Sequence, residues 1–455
     1  MATQIAGARA QLETLLEQNR EGLLTCVHCG LCLPACPTYK ALGNENDSPR
    51  GRVYLMRALV EGRLQPGDSY ISHIDLCLGC RACESVCPSG VPYGQLLEAA
   101  RPQIAELQAR RFSIVSLLTR MVLNQVFTRP WLLKSVMALT RWVRDSGLAQ
   151  LAFESQLVGG RARLGLALLL ASRPATMNRE GAGASVGGAE SAPARPGENP
   201  VRVVLLRGCV MEGLFSTTNR ATEQILAGNG CQIVDAPDQV CCGALHAHAG
   251  EIETARRLAR ANIDAFLASG ADRIVVNAAG CGAAMKEYSH LLKDDPDYKE
   301  SAHRFSLAVR DISEVFDEFN MTAPGDASGL RVAYDAPCHL LHAQKVAAPP
   351  IKMLKSVPGL QLVPLTGAEN CCGGAGIYNL LHPDLSAGIL DTKLDAIVAG
   401  GANVVATGNP GCIMQIGAGL LCRGIDVAVM HPAELVAQVN RAKVNPKTGQ
   451  DASTL

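Results

Sequence analysis

The pattern of apolar and polar positions changes near residue 201. From there on, short β-branched runs alternate with amphipathic segments, and the order strand, helix, strand, helix, strand occurs twice. The strand-forming runs are "VRVVLL", "QIVD" and "RIVVN" in the first copy, and "RVAYD", "LQLVPL" and "NVVAT" in the second. Strands and helices that alternate in this way predict parallel sheets with right-handed crossovers. We therefore expect two pseudo-symmetric α/β lobes.

The N-terminal part of the chain has a different pattern. The run "VYLMRALV" places Val53, Met56 and Leu59 at helical spacing, which predicts a mainly helical first region. Between residues 110 and 145, arginine and lysine alternate with leucine, valine, tryptophan and phenylalanine, as in amphipathic segments at a membrane surface. Ordinary helices that pack against a partner or against the first region are the alternative. Residues 174–200, rich in Gly, Ala, Pro and Ser, predict a flexible linker.

Composition narrows the classes of function. The 455 residues are 48% hydrophobic and 18% charged, which suffices for large cores in more than one domain. The 42 basic residues balance 42 acidic ones and only 4% are aromatic, so we expect no nucleic-acid partner. The sequence opens without a secretory signal, and its longest apolar run, Leu164 to Ala171, is too short to span a membrane. We expect a cytoplasmic protein. The alternative is a cytoplasmic protein attached peripherally to the inner face of the cell membrane.

In a reducing compartment, 18 cysteines predict metal or cluster ligands rather than disulfides. The runs "CVHCGLCLPACP" and "CLGCRACESVCP" share a spacing typical of bacterial two-cluster ferredoxins. There, three thiols of one run bind one cluster, while the fourth, diverted by the following proline, serves the other cluster. Zinc or free buried thiols are the alternative. The sequence predicts two [4Fe–4S] clusters, one held by Cys26, Cys29, Cys32 and Cys87, the other by Cys77, Cys80, Cys83 and Cys36.

A second cysteine pattern accompanies the two lobes, and its copies lie 129 to 131 residues apart. Each cysteine follows the carboxyl end of a predicted strand, the edge where open α/β sheets assemble their sites. The pattern makes each lobe a candidate for a further metal or cluster, with buried cysteines that pack a turn as the alternative. The two sets are Cys209, Cys241, Cys242 and Cys281, followed by Cys338, Cys371, Cys372 and Cys412. Gly243 and Gly373 supply the sharp turn that adjacent ligands would need.

Other polar residues near these motifs are weaker candidates. Four histidines could supply ligands or protons, although surface or helix-packing roles are favoured for each: His246, His248, His339 and His342. Cys231 and Cys422 fall outside the repeat and are expected to be small core residues. No catalytic triad, P-loop or dinucleotide turn is found, so no catalytic residue is predicted and this chain alone is expected to oxidise no substrate.

Together these motifs resemble the iron–sulfur subunits of bacterial glycolate oxidase (glycolate dehydrogenase) over nearly the whole chain. The stretches that carry the resemblance are the two four-cysteine runs, "PCHLLHAQK" and "NCCGGAGIYNLLHPDLS". The resemblance implies an electron-transfer subunit whose flavoprotein partners oxidise glycolate to glyoxylate. FAD is then expected only on the partner subunits, and electrons would pass to a membrane or quinone-linked acceptor of the respiratory chain.

The same architecture occurs in subunits of lactate-utilisation complexes, anaerobic glycerol-3-phosphate dehydrogenase and heterodisulfide reductases. The repeats of heterodisulfide reductases end in Cys-x-x-Cys, whereas Ala284 and Gln415 stand at the second of these positions here. This departure argues against a non-cubane cluster and against disulfide reduction. A subunit of a lactate or glycerol-3-phosphate dehydrogenase complex is the alternative in the same class. An assembly module that holds zinc is the alternative from another class.

The sequence therefore predicts five segments. They are a helical ferredoxin domain with two clusters (1–105), a basic amphipathic helical region (106–173), the linker (174–200), a first Cys-Cys-Gly lobe (201–325) and a second (326–455).

Overall fold

The structure is a computed structural model that describes residues 15–109, 114–155, 157–175, 200–323, 327 and 329–438. Most of the predicted linker lies outside these ranges, as do residues 110–113 of the basic segment.

The first region is helical, as expected, and residues 15–109 contain no strand. Ser48 begins its central helix by accepting a hydrogen bond from Gly51 N at its side chain, with proline at the first helical position. Val53, Met56 and Leu59 face a core shared with the neighbouring helices. The helices are Arg20–Leu24, Pro37–Leu42, Pro49–Val60, Asp68–Asp75, Ala82–Ser85 and Tyr93–Ala109, with a 3₁₀ turn at Glu45–Asp47.

The basic segment is also helical and connects the first region to the lobes. Its last helix packs against the second lobe, where Ala167 and Leu170 meet Ala418. The buried Arg144 donates hydrogen bonds to the carbonyl oxygens of Ser172 and Leu214, at 2.9 and 3.1 Å. The helices are Ile114–Met121, Pro130–Asp145, Leu148–Glu154 and Gly160–Ala171, with a π-helical turn at Val122–Val126.

Two four-stranded sheets, parallel throughout, form the centres of the lobes. The strand orders are β2-β1-β3-β4 and β6-β5-β7-β8. The strands are β1 (Arg202–Leu205), β2 (Gln232–Ile233), β3 (Arg273–Val276), β4 (Val309–Asp311), β5 (Arg331–Tyr334), β6 (Gln361–Val363), β7 (Val404–Ala406) and β8 (Ala428–Met430).

The predicted order of three strands per copy was wrong by one strand. Both lobes add a fourth at the edge: β4 pairs with β3, and β8 pairs with β7. Each of these edge strands has only three residues, which is too short to give a clear alternating pattern.

Helices cover both sheets. In the first lobe they are Val210–Leu214, Ser216–Gly228, Ala244–His248, Ile252–Ala268, Ala279–Lys286, Tyr288–Leu291, Lys299–Ala308 and Ile312–Glu318. In the second they are Ala348–Lys355, Tyr378–Leu381, Pro383–Gly400, Pro410–Cys422 and Pro432–Gln438, with a π-helical turn at His339–Ala343.

The two lobes share one hydrophobic core. Val203 and Val275 of the first sheet lie in the same buried cluster as Val332 and Val404 of the second. Helices also pack across the boundary between the lobes. Ile312–Glu318 of the first lobe packs on Ala348–Lys355 of the second, and Pro432–Gln438 of the second lobe packs on Ser216–Gly228 of the first. The lobes are therefore one packed unit and hold their cysteine-bearing edges in a fixed relation.

Candidate metal-cluster centres

The first predicted cysteine set lines one cavity in the helical region. Cys26, Cys29, Cys32 and Cys87 all face it, so the structure brings the fourth cysteine of the second run to three cysteines of the first. Cys29 is exposed and the other three thiols are half-buried. This cavity therefore opens at the protein surface.

The second set lines a neighbouring cavity in the interior. Cys36 faces it together with Cys77, Cys80 and Cys83, and all four are buried. Burial is the main reason that the pKa of the Cys83 thiol lies well above its ordinary value. An ionised thiol there needs a compensating positive charge. Because Tyr93 and Cys83 line both cavities, the two sites are adjacent.

A buried arginine supplies positive charge to the interior cavity. Arg52, only 1% exposed, donates a hydrogen bond to Thr38 Oγ1 at 3.0 Å and lies 4.0 Å from Cys36 Sγ. Asp47 pairs with it at 3.6 Å. Sequence reasoning missed both charged residues, because Arg52 precedes Val53 on an otherwise ordinary amphipathic helix.

Hydrogen-bond donors also point at the sulfur atoms of this cavity. Gly79 N and Tyr93 OH each donate to Cys77 Sγ at 3.4 Å, and Thr38 Oγ1 lies 3.2 Å from Cys36 Sγ. Donors to sulfur stabilise thiolate ligands and tune the potential of a cluster. The donor set and its surroundings therefore fit a [4Fe–4S] cluster.

The four cysteines of the first lobe converge at the carboxyl edge of its sheet. Cys241 Sγ lies 3.8 Å from Cys209 Sγ and also contacts Cys242, which in turn contacts Cys281. Gly243 follows with a φ of +80°, a conformation that favours glycine.

The cysteines of the second lobe form a matching group. Cys372 Sγ lies 3.4 Å from Cys412 Sγ, and Cys371 contacts both Cys338 and Cys372. Gly373 has a φ of +82°, and a Cβ there would come within 2.7 Å of Ser386 O, so the turn requires glycine.

Among the described residues, a buried ion pair accompanies the second group and not the first. Lys393 Nζ lies 2.6 Å from Asp335 Oδ1, with the two side chains 1% and 2% exposed. Thr407 Oγ1 donates to Asp335 Oδ2 at 2.8 Å. The positive charge of Lys393 helps to lower the pKa of the Cys372 thiol, after the larger effects of hydrogen bonds with Cys371 and Cys412.

The second lobe also adjoins the interior ferredoxin cavity. Cys80 belongs to the same buried cluster as Cys371, with Cys338 packed against it. Two polar contacts fix this junction: Ser85 Oγ to His342 Nδ1 at 2.8 Å, and Tyr378 OH to Leu76 O at 2.9 Å. The interior cavity and the second-lobe cysteines are therefore neighbours.

The arrangement differs from a site for a single ion. Within the described ranges, no three His, Cys, Asp or Glu side chains are grouped so that they could hold one metal ion. An iron–sulfur cubane has a wider ligand set, because each thiolate binds a different iron atom of the cage.

The predicted roles of the other candidates have mixed outcomes. His246 packs between helices, with Nε2 3.0 Å from Leu123 O, and His342 bridges the domain junction. Cys231 lies in the shared core as expected. The core role predicted for Cys422 is wrong, because it is the last residue of its helix and is exposed there.

Fold and site together define a class: a two-cluster, ferredoxin-like domain joined to paired cysteine-rich α/β lobes. The family model "4Fe-4S dicluster domain" matches residues 22–91, and "Cysteine-rich domain" matches residues 203–286 and 332–417.

Similarity to whole proteins narrows this class. The chain is 38% identical over 435 residues to the probable glycolate oxidase iron-sulfur subunit of Bacillus subtilis, covering 93% of this chain and 95% of that protein. It is 34% identical over 441 residues to the glycolate oxidase iron-sulfur subunit of Escherichia coli, covering 96% and 99%. Lactate utilization protein A of Exiguobacterium is 32% identical over 235 residues, which is 51% of this chain and 96% of that protein. The chain belongs to the glycolate oxidase iron–sulfur subunit family.

Among the described helices, none combines the length and the apolar character that crossing a bilayer requires.

Proposed function

We propose that this chain is the electron-transfer subunit of a complex that oxidises glycolate to glyoxylate at the flavin of partner subunits. The observation that carries the proposal is the exchange of the fourth cysteines. Cys36 lines the cavity of Cys77, Cys80 and Cys83, and Cys87 lines the other one. Similarity to subunits named for glycolate oxidase over most of the chain supports the choice of substrate.

In this proposal the surface cavity holds one [4Fe–4S] cluster through Cys26, Cys29, Cys32 and Cys87, and the interior cavity holds another through Cys77, Cys80, Cys83 and Cys36. Such clusters accept and release single electrons. The protein contributes the positive charge of Arg52, the donors to sulfur and the exclusion of water from the interior set. The positive charge and the donors favour the thiolate form of the ligands and so oppose the effect of burial.

The exposed cavity is the proposed entry point for electrons. Two apolar side chains of its lining face solvent: Val27 is 68% exposed and Leu31 is 58% exposed. Exposed apolar patches of this kind mark protein–protein contacts. We assign this surface to a flavoprotein subunit, whose flavin would then face the cluster at Cys29.

A further cluster is proposed in the second lobe, held by Cys338, Cys371, Cys372 and Cys412. Three of its donors are buried and Cys338 is half-buried, and the group lies beside Cys80 and close to the charge of Lys393. The first lobe presents the same four donors, Cys209, Cys241, Cys242 and Cys281, in a neutral environment. We therefore propose that the second lobe is the stronger site.

Peripheral attachment to a membrane is the remaining part of the proposal. On the Pro130–Asp145 helix, Trp131, Leu139 and Trp142 are 66%, 61% and 60% exposed. Arg129 and Lys134 are exposed near them. Tryptophan and leucine beside basic residues favour an anionic lipid surface. Retention of the complex by anionic liposomes at low salt should drop when all three apolar residues become serine. Equal retention of both forms would count against attachment.

Spectroscopy of serine variants tests the cluster assignment. Cys36→Ser and Cys80→Ser should lose the same EPR component of the reduced protein, whereas Cys29→Ser should lose the other. If Cys36→Ser and Cys29→Ser share a component instead, each run holds its own cluster and the assignment is wrong. Metal content tests the rival class: the two ferredoxin cubanes require about eight iron atoms per chain, and a cluster in the second lobe would add to them, whereas zinc with little iron would indicate an assembly module.

Substrate identity requires the complex. Co-purification with its flavoprotein partners and assay of 2-hydroxy acids and glycerol-3-phosphate should give the highest kcat/KM for glycolate. Preference for lactate or glycerol-3-phosphate would transfer the proposal to the alternative complexes.

A further inference from the structure

Three polar side chains connect the ferredoxin domain to the cysteines of the second lobe. Arg101 belongs to the last helix of the ferredoxin domain, His248 to the first lobe and His339 to the second. Arg101 Nη2 donates a hydrogen bond to Cys77 O at 3.3 Å, and Arg101 Nη1 lies 3.0 Å from His248 Nδ1. The ring of His248 stacks on that of His339, with centroids 5.5 Å apart. These three residues form the histidine bridge.

The far end of the bridge reaches a cysteine of the second lobe. His339 directly follows Cys338 and forms a hydrogen bond with its thiol. Cys338 in turn contacts Cys371, the first residue of the Cys-Cys-Gly turn. The bridge therefore runs from the backbone of Cys77, in the interior ferredoxin set, to the sulfur of Cys338.

The middle residue of the bridge is held from two sides. The guanidinium of Arg101 can only donate, so Nδ1 of His248 accepts and the hydrogen of the neutral ring is on Nε2. His248 also ends the short helix Ala244–His248, which begins directly after Gly243 in the Cys-Cys-Gly turn of the first lobe. Because stacked rings block each other's rotation, the fixed ring of His248 limits the rotamers open to His339.

The segment that carries His339 is anchored at a second point. It forms the π-helical turn His339–Ala343, and π-helical turns occur frequently at functional sites. In the same turn, His342 Nδ1 lies 2.8 Å from Ser85 Oγ of the ferredoxin domain. Two histidines thus attach the turn after Cys338, one to the first lobe and one to the ferredoxin domain.

The first lobe differs at the matching position. The offset of 129 residues between Cys209 and Cys338 places Val210 where the second lobe has His339. A valine side chain cannot donate a hydrogen bond to a thiol. The segment after Cys209 is also an ordinary α-helix, Val210–Leu214, and not a π-helical turn. The first lobe therefore supplies a histidine to the second-lobe site and has a valine at the corresponding place in its own.

We propose that His248 and His339 are positioning residues for the second-lobe site: His248 orients His339, and His339 donates a hydrogen bond to the sulfur of Cys338. The inference rests on the proposed function, in which Cys338 is a cluster ligand. A donor to a ligand sulfur stabilises the reduced cluster, which carries one more negative charge, and so raises its reduction potential. The first lobe thereby acts on the cluster of the second through a single side chain.

Redox titrations monitored by EPR test the inference on the full chain, after its iron content has been determined. The second-lobe signal is the component that Cys338→Ser removes. His339→Leu should change the one-electron equilibrium of this component about tenfold, a shift of about 59 mV to lower potential. His248→Leu should cause a smaller shift in the same direction, and His248→Phe, which keeps a ring for the stack, a smaller one still. Because His248 acts only through His339, the double leucine variant should match His339→Leu alone.

Two other histidines provide matched controls. His246 lies on the same helix as His248 but contacts Leu123 O of the basic segment, and His303 is on an exposed helix face. His246→Leu and His303→Leu should leave the potential of the second-lobe signal unchanged. An unchanged potential in His339→Leu would overturn the inference. So would additive shifts in the double variant, or a shift in His246→Leu as large as that in His248→Leu.

Failure of the proposed function has a different signature. If every EPR component survives in Cys338→Ser, the second lobe holds no cluster and Cys338 is a free, half-buried thiol. Its alkylation by iodoacetamide, followed by peptide mass spectrometry, then decides the inference, because a donor to the sulfur favours the reactive thiolate. Slower alkylation in His339→Leu and His248→Leu than in His246→Leu would support the positioning role. Equal rates in all three variants would overturn it.

Discussion

The two cysteine-rich lobes have the same topology and different surroundings for their thiols. In the second lobe, Lys393 and Asp335 form a buried ion pair next to the cysteines. The repeat offsets of 129 to 131 residues place Leu206 and Asn262 at these positions in the first lobe. Asn262 there is neutral and donates hydrogen bonds to Cys241 O and Tyr288 OH, at 3.1 and 3.2 Å. The same topology therefore places a charged pair beside the cysteines of the second lobe and neutral residues at the matching positions of the first lobe.

The difference changes the chemistry of the thiols. The pKa of Cys372 is lowered by hydrogen bonds with Cys371 and Cys412 and by Lys393. In the first lobe, Cys241 lowers the pKa of the matching Cys242, but the hydrogen bond with Cys281 and burial outweigh this effect, so the pKa of Cys242 is raised well above its ordinary value. A lobe that lowers a thiol pKa favours thiolate ligands, so the second lobe is better prepared for a metal cluster.

The largest effect is expected from breaking the ion pair. Lys393→Met leaves the carboxylate of Asp335 buried without its cation, and the loss of a buried partner costs about 3–5 kcal/mol of folding free energy. Urea unfolding of the full chain measures the loss. A decrease below about 1 kcal/mol would show that Asp335 is protonated or hydrated, and would contradict a buried pair of charges.

A double variant provides the control. Asp335→Leu combined with Lys393→Asn reproduces the residues of the first lobe and leaves no unpaired charge. It should recover most of the stability lost in Lys393→Met, because a buried pair replaced as a unit costs little.

The second comparison concerns the helices that follow the edge strands. Asp311 Oδ1 accepts a hydrogen bond from Ser313 N at 2.9 Å, and His431 Nδ1 accepts one from Ala433 N at 3.0 Å. Burial raises the pKa of Asp311 from 3.8 to about 6. Burial lowers the pKa of His431 from 6.5 to about 4.

These shifts act on stability in opposite directions. As pH falls from 6.5 to 4, the unfolded state protonates its histidine first, so the His431 contribution to stability is lost. As pH falls from 6 to 3.8, folded Asp311 is protonated first, so its contribution to stability increases. Each amounts to at most about 3 kcal/mol. His431→Asn should therefore make the protein less sensitive to acid, whereas Asp311→Asn should make it more sensitive to acid. The measurement compares the urea midpoints of each variant at pH 7 and pH 4.5. Parallel pH profiles for the two variants would contradict this.

A smaller effect is expected at the contact between the lobes. Asn409 Oδ1 accepts from Gly280 N at 3.3 Å, and its Nδ2 donates to Cys412 Sγ at 3.4 Å. The corresponding position in the first lobe is Ala278. Asn409→Ala should cost about 1 kcal/mol of unfolding free energy and shift the EPR signal of any cluster bound at Cys412. An unchanged signal would indicate that this cysteine is not a ligand.

The strands of the two sheets and the cysteine groups of the two lobes were predicted correctly from the sequence. All six predicted strands exist, because buried β-branched runs leave few alternatives, and the cysteine repeat located both thiol groups. The edge strands β4 and β8 were not predicted, because the repeat was defined by its cysteines and both strands follow the last cysteine of their copy. Their three residues form strands only by pairing with β3 and β7.

Contacts between charged or aromatic residues far apart in the chain could not be predicted from the sequence. Lys393 lies in "DTKLDAIVAG", between acidic residues on a helix, a pattern typical of a solvent-exposed position. It is buried because its helix packs over the end of β5, where Asp335 follows the strand. The stacking of His248 on His339 likewise depends on how three parts of the chain meet. Only tertiary packing brings such residues together.

EPR of the reduced chain tests whether electrons reach the second lobe from the ferredoxin pair. The spectra to compare are those of the unmodified chain, Cys372→Ser and the matched first-lobe variant Cys242→Ser. Because Cys80 packs with Cys371, a cluster in the second lobe should couple magnetically to the interior ferredoxin cluster. We expect Cys372→Ser to remove this coupling and to lower the iron content, and we expect Cys242→Ser to leave the coupled signal in place. Equal spectra for the two variants, or loss of coupling only in Cys242→Ser, would contradict this expectation.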